Sequence, residues 1–254
     1  MKLLTLARDL QRRRSRERQR LFVVEGIRSV EELLRSDLSV QGAVIGPALD
    51  VTPRGEALRA ALAASGVPLL EVSERDFASA ASTDSPQGVF AIARIPERDI
   101  SSLDIPVQAR ILVLDAIQDP GNVGTLVRTA AAFGVSATVA MPGTVDLWNG
   151  KVVRSSMGAL FHHPTSICTW HELDEFLSER AIPLWGADAG GDDLESIESP
   201  FPPRLAIAVG NEGAGLSTDA SARLARTIAI RTSPDVESLN VAVAAGILLH
   251  HFRS

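Results

Sequence analysis

The sequence predicts an α/β protein of two domains, the second built on a mainly parallel sheet with helices on both faces. Three observations predict it. Short β-branched or apolar runs alternate with stretches rich in Ala, Leu, Arg and Glu along the chain. A segment with two prolines, charges and serines but no long apolar run (residues 96–108) divides that alternation in two. The 254 residues exceed a single domain of ~150 residues. Hydrophobic residues at 45% and charged residues at 22% are globular values, so a wholly disordered chain is excluded.

The first domain, residues 1–95, opens with a helix expected over Leu3–Arg18. Strand LFVVEG (Leu21–Gly26), helix Ser29–Arg35, strand VQGAVI (Val40–Ile45) and helix Glu56–Ala64 follow, with Pro53 near the last helix's start, where its missing N–H costs little. Strand VPLLEV (Val67–Val72), a short helix Glu74–Ala80 and strand QGVFAIARI (Gln87–Ile95) complete it. Residues 96–108 read as a linker. The second domain, 109–254, begins with RILVLDAI (Arg110–Ile117), a buried strand by its continuous apolar run. A helix over about Val123–Phe133 follows, then strands at Ser136–Met141, Thr165–Cys168, Ile182–Ala187, Arg204–Val209 and Thr227–Ile230. Helices fall between them at Lys151–Met157, Glu172–Arg180 and Ser217–Leu224, and a last one spans Leu239–His251. In parallel sheets ligands sit beyond the C-terminal strand ends, so the loops directly after strands are the functional candidates.

Charge is unevenly spread. The net charge is -6, yet residues 1–30 hold nine basic and three acidic residues, leaving a basic arm on an acidic body. Such an arm reads as a nucleic-acid handle, with Arg12, Arg13, Arg14, Arg16 and Arg18 as the candidate contacts, or as a solvated basic helix. Aromatic residues at 4% and the absence of tyrosine argue against a platform for stacking single-stranded bases. The single cysteine, Cys168, excludes an intramolecular disulfide and a multi-thiolate zinc site, and reads as a core residue. His162, His163, His250 and His251 form adjacent pairs that ligate poorly together, so no metal is expected. The basic start lacks the apolar core of a signal peptide and no run of eighteen apolar residues occurs, which places the expectation in the cytoplasm with no membrane partner.

Three post-strand loops stand out. In Asp119–Gly134, Asn122 suits a helix N-cap, Gly124 permits close backbone approach, and Arg128 follows more than a turn into the helix, where a cleft-facing guanidinium would suit a phosphate or carboxylate. GNEGAGLS (Gly210–Ser217) packs three glycines into six residues, but it is neither GxGxxG nor a Walker A loop, and Glu212 argues against cradling a phosphate. In Ile230–Phe252, Ser238 or Glu237 could cap the final helix, with Asn240 in its first turn.

Together the three loops resemble the SpoU (TrmH) family of RNA ribose 2′-O-methyltransferases of the SPOUT class. The family's Asn-x-Gly with an arginine four residues on is matched by Asn122, Gly124 and Arg128. Its Gly-Asn-Glu-Gly-x-Gly-Leu is matched by Gly210, Asn211, Glu212, Gly213, Gly215 and Leu216, and its Ser-Leu-Asn-Val segment by Ser238, Leu239, Asn240 and Val241. Lys151–Pro164 is similar to the Arg-x-Ser-x-Gly-Ala stretch between them. Residues 1–95 resemble, more loosely, the L30e-like substrate-binding domain that often precedes the catalytic one. One departure is that Arg231 and Thr232 follow Ile230 where the family commonly has Ile-Pro-Met.

The resemblance implies a trefoil-knotted catalytic domain and a homodimer with its active sites at the interface. It implies S-adenosyl-L-methionine held by Gly210, Asn211, Gly213, Ile230 and Leu239, and catalytic roles for Asn122, Arg128, Glu212, Ser238 and Asn240. The implied reaction is methylation of a ribose 2′-hydroxyl in RNA, with 23S rRNA ahead of tRNA, and no metal. A guanidinium pKa above ~12 makes Arg128 a poor base at pH 7. Arg128 is therefore expected to hold an RNA phosphate, with that phosphate or water taking the proton, while Glu212 positions Arg128 or a hydroxyl. A catalytically silent RNA-binding protein of the same fold is the competing reading. A nucleotide-dependent oxidoreductase is disfavoured because no GxGxxG follows a predicted strand.

Overall fold

The computed structural model describes residues 2–83, 85–236 and 238–253. The chain forms two compact units, residues 1–97 with 148–162, and residues 98–147 with 163–254.

In the first unit, α1 (Lys2–Asp9) and α2 (Arg13–Gln19) replace the single helix expected over Leu3–Arg18. The apolar seam of Leu4, Ala7 and Leu10 ends at Leu10, and no apolar residue follows before Leu21, so a continued helix would have nothing to bury. The break is held by Arg16, whose Nη1 donates to the Leu10 and Gln11 carbonyls at 2.8 and 2.9 Å. β1 (Leu21–Glu25) leads to Gly26 at φ 99° and α3 (Ile27–Leu34). That turn starts α3 two residues earlier than expected, and the Gln87 side chain accepts the orphan N–H of Ile27 at 2.9 Å.

β2 (Val40–Ile45), α4 (Pro53–Ala64), β3 (Leu69–Glu71), α5 (Glu74–Ala78) and β4 (Val89–Arg94) follow. Pro53 is indeed at the start of α4, capped by Thr52. The sheet order is β1-β4-β2-β3, with β4 antiparallel to both neighbours and β2 parallel to β3. Central β4 is buried from Val89 to Ala93, and Phe90 packs on Phe77 at 5.1 Å between ring centroids.

The second unit starts earlier than the expected linker allows. Ile100, Leu103 and Ile105 are buried in its core, so much of residues 96–108 is packed structure. β5 (Ala109–Leu114), fully buried, precedes α6 (Pro120–Ala132) and β6 (Ala137–Ala140). The chain then contributes α7 (Gly150–Ser155) and α8 (Ala159–His162) to the first unit, although the sequence assigned them to the second domain. The physical reason is aromatic: Phe22, wholly buried, packs against Trp148 at 4.5 Å and Phe161 at 6.1 Å.

β7 (Thr165–Ile167), α9 (Trp170–Glu179), β8 (Leu184–Asp193), β9 (Arg204–Val209), α10 (Thr218–Ser221), β10 (Arg226–Ala229) and α11 (Val241–His251) complete the second unit. Its six-stranded sheet has the order β10-β8-β9-β5-β6-β7, and every pair is parallel. β8 runs six residues past its expected end. A bulge in the pairing brings Ile228 opposite Asp192, and a side chain at Gly191 would meet the Ile228 nitrogen at 2.6 Å. A glycine-aspartate stretch reads as a loop by composition, but here glycine is what lets the backbones meet. α11 packs against α6. Among the described residues no helix is long and apolar enough to cross a membrane.

Candidate active site

The loops following β9 and β10, the β8 segment at residues 187–189 and the start of α11 gather at the C-terminal edge of the parallel sheet, where such sheets place ligands. They enclose a cavity of about 470 Å³, within the range of small-molecule sites. Its wall includes the cofactor candidates Gly210, Asn211, Gly213, Ile230 and Leu239, together with Glu212 and Ser238. Val209, Ile228 and Val241 supply apolar surface.

The glycine loop closes on itself. The Asn211 carbonyl accepts the Gly215 N–H at 2.9 Å, and the Asn211 Oδ1 accepts the N–H groups of Gly213 and Ala214 at 3.0 Å each. Asn211 Nδ2 donates to the Ala116 carbonyl at 3.1 Å. The side chain of Asn211 therefore shapes the loop. A Cβ at Gly210 would fall 2.3 Å from the carbonyl of Gly215, and Gly215 itself has φ 71°. Buried Asp115, at the end of β5, accepts the Ser217 N–H at 2.6 Å and anchors the loop's far end. Sequence reasoning missed Asp115, which looks like any polar residue ending a strand.

Asn122 was expected to cap α6. Asp119 does so instead, accepting the Asn122 N–H at 2.8 Å, with Pro120 in the first helical position. The Asp-Pro step was the readable signal, since proline suits that position with a capping carboxylate before it. The consequence is chemical: the Asn122 side chain is free to reach across the loops. Its Nδ2 donates to Glu212 Oε1 at 2.6 Å, and its Oδ1 accepts from Asn240 Nδ2 at 3.0 Å.

Asn240, not Ser238, is the N-cap of α11. Its Oδ1 accepts the N–H groups of Ala242 and Val243 at 3.0 and 3.4 Å. Glu237 lies outside the described residues. The capping role fixes which end of the Asn240 amide faces Asn122, and so turns the Asn122 donor toward the Glu212 carboxylate. Three residues separated by 90 and 118 positions form one relay.

Arg128 lies further along α6. It is exposed on α6 and forms no hydrogen bond or ion pair among the described residues. It lies six positions after Asn122, which is ~600° of rotation and ~9 Å of rise, so the two side chains leave on different faces. The carboxylate of Glu212 engages Asn122 rather than Arg128.

The candidate RNA-binding arginines also divide. Arg12, Arg14 and Arg18 are exposed, and Arg13 pairs with Glu17 at 2.7 Å. Arg16 is buried and donates to backbone carbonyls, which removes it from a contact surface. Cys168 is buried, and burial pushes its thiol up to about 12, consistent with a core residue. Burial, and then the nearby Arg98, lower His163 to about 4, while its Nε2 bonds the Thr138 hydroxyl at 2.9 Å. No group of three or more His, Cys, Asp or Glu able to hold a metal occurs among the described residues.

Comparison with known proteins fits this geometry. Residues 109–250 match the SpoU rRNA methylase family, and residues 5–91 match the MRM3-like substrate binding domain. The chain is 32% identical over 247 residues to the 23S rRNA (guanosine(2553)-2′-O)-methyltransferase RlmP of Bacillus subtilis, covering 97% of this chain and 94% of that protein. It is 28% identical to the 23S rRNA (adenosine(1067)-2′-O)-methyltransferase of Streptomyces laurentii, covering 93% and 87%. Among solved structures it is similar to the AdoMet-bound rRNA methyltransferase of Sinorhizobium meliloti, with a TM-score of 0.85, 26% identity and coverage of 99% and 94%. The chain therefore belongs to the SpoU rRNA methylase family, and it is an RNA methyltransferase that takes its methyl group from S-adenosylmethionine.

Proposed function

We propose that the protein methylates a ribose 2′-hydroxyl in 23S rRNA, as a cytoplasmic homodimer whose active sites lie at the interface of its two copies. The observation that carries the reading is the Glu212–Asn122–Asn240 relay at the rim of a cavity walled by the glycine loop. The cofactor suits that cavity: apolar walls meet an adenosine, and backbone groups of a closed loop meet its polar edges. When bound, S-adenosylmethionine supplies an electrophilic methyl group on a sulfonium. The protein's work is then to hold the hydroxyl in line and give its proton a way out.

In this reading Gly210, Asn211, Gly213, Ile230 and Leu239 bind the cofactor, and Asn211 does so by shaping the loop. Asn122 and Asn240 orient the ribose, while Glu212 fixes the direction of the Asn122 amide. Ser238, exposed in the cavity wall, holds a hydroxyl or the loop. Exposed Arg128 grips an RNA phosphate through its fork, and that phosphate or water takes the proton. Arg12, Arg14 and Arg18 contact RNA phosphates in the same way. The trefoil knot implied by the family is part of this proposal.

Dimerisation is supported by an apolar exposure that a monomer has no use for. Val243 and Ile247, one turn apart on α11, are 53% and 39% exposed, and Phe133 at the end of α6 is 36% exposed.

The test is transfer of labelled methyl from S-adenosylmethionine to total RNA from a strain lacking the gene. Wild type is expected to label a ribose 2′-oxygen in 23S rRNA. Arg128→Ala and Asn122→Ala are expected to lose about 100-fold in rate with cofactor affinity within about twofold. Label in tRNA alone would overturn the substrate assignment, and no transfer with no cofactor binding would favour a silent RNA-binding protein.

A further inference from the structure

Three aspartates lie in the β8 extension, and they are not equivalent. Asp192 pairs with Arg226 at 2.7 Å, and Asp193 with Arg231 at 3.6 Å. Asp188 has no ion pair among the described residues, and it is the one that lines the cavity. Its Oδ1 accepts the Gly190 N–H at 2.8 Å, and its Oδ2 lies 3.9 Å from where a side chain on Gly215 would begin. The other carboxylate in the wall, Glu212, is met by the neutral amide of Asn122. No Lys, Arg or His is among the lining residues. The cavity thus carries two carboxylates and no compensating cation.

We propose that Asp188 makes the cavity distinguish the methyl donor from its spent product by net charge; this rests on the cavity's being the cofactor site. S-adenosylmethionine carries a sulfonium, an ammonium and a carboxylate, for a net positive charge. On transfer the bond from sulfur to methyl breaks, its electron pair stays on sulfur, an oxygen–methyl bond forms and the hydroxyl proton leaves to solvent or phosphate. The product, S-adenosylhomocysteine, is net neutral with the same adenosine and the same amino-acid tail. An attraction between carboxylate and cation therefore acts before the reaction and lapses after it. Asp188 suits this role better than Glu212, because its charge is not tied into the Asn122 relay. The two ligands would then bind with affinities spaced by the field of the cavity, and the product would leave without a separate device to eject it.

Calorimetry on the full-length protein tests this with three ligands: S-adenosylmethionine, S-adenosylhomocysteine, and sinefungin, an analogue with an amine where the donor has its sulfonium. Asp188→Asn keeps the acceptor for Gly190 and removes only the charge. At low ionic strength the two cationic ligands are expected to weaken about five- to tenfold and the neutral product to change less than about twofold, with the gap narrowing as salt is added. Asp192→Asn, outside the cavity, is expected to leave all three unchanged. Equal weakening of all three ligands in Asp188→Asn, no change in any, or the same effect from Asp192→Asn would each overturn the proposal. The cavity assignment is tested apart from it by Ala244→Phe and by Thr232→Trp at an exposed wall position. Loss of all three ligands in both supports the assignment, and undiminished binding in both overturns it.

Discussion

The glycine loop at 210–217 and the basic helix α2 use their polar groups in opposite ways. In the loop, Asn211 turns inward on the backbone, binding Gly213, Ala214 and Ala116, and the Ser217 N–H is held by Asp115, while Glu212 alone reaches out to Asn122. The loop's path is one that needs glycine at 210 and 215. In α2 the side chains of Arg14 and Arg18 are exposed, as is that of Arg12 just before it, and the backbone is an ordinary helix. A surface made of backbone geometry tolerates almost no change of residue type. A surface made of charge tolerates a change of position, provided the charge remains. Arg16 shows that the division falls between individual residues, because it sits in the basic helix yet behaves like a loop residue.

The largest expected effect sharpens the first half of that comparison. Gly210→Ala places a methyl group 2.3 Å from the Gly215 backbone, where neither partner is a flexible side chain. The loop must open, with about a 100-fold loss of S-adenosylmethionine affinity and on the order of 3 kcal/mol of stability. Calorimetry and urea melts read both, and normal binding would show that the loop's shape is not what holds the cofactor.

A pair of arginines tests the second half. Arg16→Ala is expected to cost about 2–3 kcal/mol in a urea melt, since it leaves two carbonyls at the α1–α2 break without their charged donor. Arg14→Ala, two residues away and exposed, should change stability by less than about 0.5 kcal/mol. Its effect should appear in RNA binding, as a salt dependence shallower by about one unit of slope. Equal stability losses in the two variants would erase the distinction between them.

A smaller effect depends on pH. Folding holds His163 at about 4 against an ordinary value of 6.5, so the unfolded chain takes up a proton first as pH falls. This group adds no penalty above about pH 6.5, a growing one between 6.5 and 4, and a constant one below. At pH 5 the loss is about 2 kcal/mol relative to pH 7. His163→Gln, which can keep a bond to Thr138, should flatten that part of the profile, and an unchanged acid profile would assign the loss to other groups.

How much of this was legible in the sequence depended on where the information lay. β2 and β9 agree with their expected residues to both ends, because continuous apolar runs carry burial directly. The start of α6 was misread at Asn122 although Asp119-Pro120 signals it locally. The end of β8 was misread because Gly190 and Gly191 signal a loop wherever no partner strand is known. The relay of Asn122 with Glu212 and Asn240 spans loops far apart in the chain, so no local pattern reveals it; only resemblance put those residues in one site. The exposure of Arg128 and the burial of Arg16 follow from tertiary packing, which a charge count treats alike.

The placement of α7 and α8 has a consequence for how such a chain can be taken apart. With Trp148 and Phe161 resting on Phe22, the first unit is completed by residues that come from the middle of the methylase match, and the chain passes from one unit to the other three times. A cut after residue 97 would strip the first unit of two aromatic supports and leave them bare on the other fragment. The two modules are therefore not interchangeable cassettes. A chain given a different segment in place of residues 1–97 would need a matching seat for Trp148 and Phe161, or a new inner segment along with it.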